Sequence, residues 1–99
     1  MNIYEKAIKV FGKKNQLLKC VEELSELQTV ILQGINKDSQ RLRGKLDDLY
    51  SEIADVEIML EQLKLIHSCE NRLNVIKKQK LDRLEKLING IEKEDEKTA

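Results

Sequence analysis

Two short runs carry carboxylates spaced to act together: Glu22-Glu23-Leu24-Ser25-Glu26 and, further on, Glu52-Ile53-Ala54-Asp55. A helix turns about 100° per residue, so Glu23 and Glu26 are neighbours on one helical face, as are Glu52 and Asp55. Each run therefore offers one pair of carboxylates. Two such helices folded back as an antiparallel hairpin bring the pairs face to face, and four carboxylates in a bundle need compensating cations. All-oxygen ligation of this kind suits Mg²⁺ or Mn²⁺ and not zinc. The competing account is a solvated acidic face, its glutamates paired with lysines one turn away such as Lys19.

The elements that must position these acids are helices. The chain has 99 residues, no proline and 3% aromatic residues, and Leu, Ile, Lys and Glu dominate, a composition that points to an all-α fold. Its glycines, at 12, 34, 44 and 90, read as stops, because each can take the left-handed conformation that ends a helix. The first helix covers residues 2–11, with Ile3, Ala7, Ile8, Val10 and Phe11 as its apolar face, and is expected to lie as a lid on the rest. The second covers 14–33, with Leu17, Cys20, Val21, Leu24, Leu27, Ile31 and Ile35 marking the stripe of helical period that faces the core. Glu23 stands at the edge of that stripe and Glu26 one step further round.

A polar, basic connection spans residues 34–44. The third helix runs from about residue 45 to 66, and between Ile53 and Ile66 it is apolar on nearly every side. So short a chain buries only about 60–65% of its unfolded surface and has little of its own to cover such a helix, which places it in the middle of an oligomer. The fourth helix, roughly 70–89, has a stripe at Leu73, Ile76, Leu84, Leu87, Ile88 and Ile91, into which Lys77 and Lys80 project, with Arg83 at its flank. A lysine aimed at a core must find an anion, a carboxylate or a bound phosphate, unless its stem lies along apolar surface and its ammonium reaches water. The whole reads as a bundle of four helices in one domain, residues 1–91, followed by a charged and disordered tail, 92–99.

Several function classes fall away. Eighteen basic residues balance 18 acidic ones, so no global field favours nucleic acid or a membrane surface, and any phosphate binding must be local. Cys20 and Cys69 make neither a disulfide framework nor a zinc or CxxC motif, which fits a reducing, cytoplasmic setting. His67 is the only histidine, which excludes a di-iron bundle built from two Glu-x-x-His motifs within one chain. There is no Ser-His-Asp candidate, no glycine-rich phosphate loop, no signal-like N-terminus and no apolar run of membrane-spanning length.

Glu22-Glu23-x-x-Glu26 followed by Glu52-x-x-Asp55 resembles the signature of the MazG-like all-α nucleoside triphosphate pyrophosphohydrolases. Phe11-Gly12 and Gln16 upstream, the run from Glu52 to Leu63, and Lys77, Lys80 and Arg83 later on are similar to its small single-domain members, many of them phage or prophage proteins. The resemblance implies that Glu23, Glu26, Glu52 and Asp55 hold Mg²⁺. It implies that Glu22 supports the metal or orients the attacking water, and that Lys77, Lys80 and Arg83 contact a triphosphate. The implied reaction cleaves a (d)NTP between its α- and β-phosphates to a nucleoside monophosphate and pyrophosphate, in a homo-oligomer (dimer or tetramer), as nucleotide-pool housecleaning. The alternative is a non-catalytic helical protein that keeps the fold and oligomerises or binds a partner through the third helix.

Overall fold

Capping chemistry sets the first boundaries in the computed structural model, which describes residues 1–36 and 46–98. Helix α1 (Ile3–Phe11) starts where the Glu5 N–H donates to Asn2 Oδ1 at 2.8 Å, satisfying one of the donors that a helix leaves unpaired at its N-terminus. It ends at Gly12, whose φ of 92° is open to glycine and strained for other residues. The Gly12 N–H donates to the Ile8 carbonyl at 2.9 Å, and the Gly12 carbonyl accepts from the Gln16 N–H at 3.1 Å. One residue thus closes α1 and opens α2 (Lys13–Asn36).

Helix α3 (Leu46–His67) carries Asp47 and Asp48 in its first turn and Lys64 and His67 in its last, the order its macrodipole favours. It stops at Ser68, which takes a left-handed φ of 48°. Helix α4 (Glu70–Thr98) opens with the Leu73 N–H donating to the Cys69 carbonyl at 2.8 Å. The described residues are all-helical, with no strand. No helix among them is long and apolar enough to cross a membrane.

The chain divides into two units, one of α1, α2 and α3 ending at Ser68, the other beginning at Cys69 and consisting of α4. In the first, the Gln16 side-chain amide on α2 donates to Gln62 Oε1 on α3. Seven residues further along α2 and seven earlier on α3, Glu23 meets Asp55, so the two helices are antiparallel and in a single register. Helix α1 packs against both, as expected of a lid.

The buried seam of this hairpin differs from the apolar stripe expected for α2. Gln16, Cys20 and Glu23 are buried, and Leu27 and Val30 continue the line half-buried, at alternating steps of four and three. Val21 is 64% exposed and Ile35 72%, against 5% for Cys20 and 6% for Glu23. The seam is thus turned by one residue from the most apolar face. The cause lies in what faces α2: Gln62 engages Gln16, and Glu52 and Asp55 gather at Glu23, so polar partners fix which side of α2 turns inward. On α3, Val56, Met59 and Gln62 are buried, while Ile58 and Leu65 remain exposed.

Two of the glycines expected as stops lie inside helices. Helix α2 passes through Gly34 to Asn36, and α4 passes through Gly90 to Thr98, so residues 92–98 are helical where a disordered tail was expected. An interior glycine weakens a helix by about 1 kcal/mol without forbidding it, and the Glu and Lys that follow Gly90 are strong helix formers. Thr98 Oγ1 donates back to the Glu94 carbonyl at 3.1 Å. From residue 37 to Gly44, the expected basic connection lies outside the described residues. No residue of α4 is buried; of the expected stripe Leu73 and Ile76 are half-buried, and Leu84, Leu87, Ile88 and Ile91 are exposed.

Candidate metal centre

The α2–α3 register brings one oxygen each of Glu23, Glu52 and Asp55 within 4.8 Å of one another. Glu23 comes from the buried line of α2, and Glu52 and Asp55, one turn apart, come from the facing wall of α3. Glu23 is buried; Glu52 and Asp55 are half-buried. Within this group Glu23 Oε2 and Glu52 Oε2 are buried without a hydrogen-bond partner. A desolvated carboxylate oxygen left unpaired is costly, so two in one cluster require a ligand or a proton.

The electrostatics agree. Burial, then the negative charges of Glu26, Glu23 and Asp55, push the Glu52 carboxyl above its ordinary pKa of 4.5. Glu26, exposed on α2, stands at the rim, where its negative charge acts on Glu52. On the other side, Lys19 Nζ lies 3.2 Å from Glu23 Oε1 and 3.6 Å from Glu22. That hydrogen bond to Glu23, followed by the charge of Glu22, raises the Lys19 pKa. Lys19 therefore partners one oxygen of Glu23 and leaves the other bare.

Of the residues singled out in the sequence, Glu23, Glu52 and Asp55 come together, and Glu26 joins them through Glu52. Glu22, 57% exposed at its side chain, faces Lys19 outside the three-carboxylate group. Lys77, Lys80 and Arg83 lie exposed on α4 in the second unit, where Lys80, Arg83, Leu84 and Leu87 line a shallow surface concavity. Lys19, expected as a glutamate partner in the competing account of a solvated acidic face, does pair with Glu23, whereas Gln62, the partner of Gln16 across the seam, escaped sequence reasoning as a contributor. The signal was there in the spacing, since Gln16, Cys20 and Glu23 share one heptad line and Lys19 stands one turn before Glu23.

The donor set is all oxygen, split between two helices, and carries two orphan oxygens. It fits a hard divalent cation such as Mg²⁺ or Mn²⁺. No protein family, curated protein or solved structure matches the chain.

Proposed function

We propose that the chain is an Mg²⁺-dependent nucleoside triphosphate pyrophosphohydrolase of the MazG-like kind, releasing pyrophosphate and a nucleoside monophosphate. The observation that carries this reading is the pair of buried, unpartnered oxygens of Glu23 and Glu52 inside a three-carboxylate group. Glu23, Glu52 and Asp55 would hold the ion, with Glu26 completing the set from the rim. When bound, such an ion neutralises phosphate oxygens and makes a water more acidic. Glu22 orients the attacking water or supports a ligand, the role implied by the resemblance. Lys19 restrains the Glu23 carboxylate from the opposite side. Lys77, Lys80 and Arg83 donate to the triphosphate and stabilise the charge that develops on pyrophosphate. The setting that goes with this reading is a cytoplasmic homo-oligomer that clears unwanted nucleotides.

A second reading has its own support. The only buried hydrophobic residues described are Cys20, Val56 and Met59, while apolar side chains line the outside of α2 and α3. A non-catalytic helical protein that binds partners would present such a surface.

The test is pyrophosphate release from a panel of canonical and modified nucleoside triphosphates, with Mg²⁺ and with EDTA. Turnover that needs Mg²⁺ and falls more than about 100-fold in Glu52→Ala, beyond what outer-shell substitutions cost, supports the enzyme. No turnover by folded protein, together with a melting temperature indifferent to Mg²⁺, leaves the binding protein standing, because an ion bound only by the native state must raise that temperature.

A further inference from the structure

Helix α4 runs for 29 residues without burying one of them. Its Leu84, Leu87 and Ile91 are 48%, 61% and 52% exposed. A lone helix with an apolar stripe is marginal in water, because most helical stability comes from packing such a stripe against a partner. The pattern on α4 identifies the partner. Lys77, Lys80, Leu84, Leu87, Ile91 and Glu94 follow one another at alternating steps of three and four, the a and d positions of a heptad seam.

That seam is self-complementary only when reversed. With a two-fold axis midway between Leu84 and Leu87, Leu84 meets the partner's Leu87, Lys80 meets the partner's Ile91 and Lys77 meets the partner's Glu94. Every a position then faces a d position throughout the seam. Beside it, Leu81 falls opposite the partner's Ile88, and Arg83 lies by the partner's Gly90, whose missing side chain leaves open space. The Lys80 stem covers the isoleucine and its ammonium reaches water. A parallel pair would instead set Lys77 on Lys77 and Glu94 on Glu94, which like-charge repulsion disfavours.

Charge along the helix points the same way. Lys77, Lys78, Lys80 and Arg83 make the N-terminal half basic, and Glu92, Glu94, Asp95 and Glu96 make the C-terminal end acidic. The end turns themselves carry the charges the dipole favours, Glu70 in the first and Lys97 in the last, so the asymmetry lies along the body of the helix. An antiparallel neighbour brings the basic stretch against the acidic one.

We propose that α4 is a homodimerisation helix, pairing antiparallel with α4 of a second copy through Leu84, Leu87 and Ile91, with Lys77 and Glu94 as the reciprocal charge pair. The pairing stands apart from the catalytic reading. It competes with that reading for Lys77 alone, since an ammonium held by the partner's carboxylate is not available to a triphosphate, and phosphate contacts from α4 then fall to Lys80 and Arg83.

Sedimentation equilibrium of the full chain tests it through charge reversal. Lys77→Glu and Glu94→Lys each place like charges at both ends of the seam and should weaken self-association at least about tenfold. Equimolar mixing of the two variants restores one attractive pair at each end, and the double variant does the same within one sequence, so both should associate as the wild type does. Circular dichroism of each variant confirms that the helices remain. A monomeric wild type, association indifferent to either single change, or a loss that neither mixing nor the double variant repairs would overturn the proposal.

Discussion

The α2–α3 seam and the stripe of α4 invert one another. Between α2 and α3 the chain buries Gln16, Glu23 and Gln62 and leaves Val21 and Ile35 outside, whereas on α4 Leu84, Leu87 and Ile91 are bare. Each methylene kept out of a core forgoes about 0.8 kcal/mol, and a buried polar group adds a penalty unless it is paired. The hairpin accepts both losses in one place, around Glu23 and Glu52. What it obtains is a cluster of three carboxylates with two desolvated oxygens. The contrast teaches that burial here follows polar pairing between α2 and α3 and not the apolar stripe alone.

The largest effect that would break this contrast is expected at the amide pair. Gln16→Leu should leave Gln62 buried with its acceptor unfilled, at about 1–3 kcal/mol, or roughly 4–20 °C in melting temperature for a unit of this size. Adding Gln62→Leu should recover most of that loss, because two apolar groups of similar shape need no hydrogen bond. If the double variant melts no higher than the single one, the pair does not set the register, and the polar seam needs another cause.

Next comes Glu52→Gln, which separates a site built for an ion from one that merely tolerates its charges. The folded state raises the Glu52 pKa, so the stability this group contributes is complete below about 4.5 and is lost as pH rises through its higher native value. Without metal, the variant should therefore gain on the wild type as pH is raised from 4.5 toward neutral, and then hold a constant lead. With Mg²⁺ at neutral pH the order should reverse, the wild type alone being stabilised. Thermal melts across pH, with and without Mg²⁺, read both effects; a lead independent of pH would mean that Glu52 is not strained by its surroundings.

The smallest effect is expected at Lys19. Replacing it with Met frees the Glu23 carboxylate from its standing partner, so the metal-free protein should melt slightly lower while the upward shift on adding Mg²⁺ becomes larger. A shift that shrinks would show that Lys19 orients Glu23 for the ion and does not compete with it.

Much of this organisation was legible in the residues. Leu, Ile, Lys and Glu without proline specify helices, Gly12 marks the first break, and the i, i+3 spacing puts Glu52 and Asp55 on one wall. The inward face of α2 was not legible, because periodicity assigns the core to the most apolar side, and here Gln62, Glu52 and Asp55 of α3 draw Gln16 and Glu23 inward. That preference exists only once two helices meet. Gly34 and Gly90 misled for a related reason: a glycine permits a helix to end, but the residues beyond it decide whether it does. Glu26 shows the same limit at the site, since its spacing from Glu23 is right but the turn of α2 leaves it at the rim.

Gly12 carries a consequence for how this chain can vary. A side chain built there would meet no atom within 4 Å, yet its φ of 92° and ψ of 149° belong to a region that only glycine enters freely. The position is spacious and still intolerant. Any other residue would trade the sharp corner for a smoother one, inviting α1 and α2 to fuse into a single rod and lifting α1 off the hairpin. Neutral drift should therefore run freely through the exposed residues around this corner and halt at the one residue whose surroundings look most permissive.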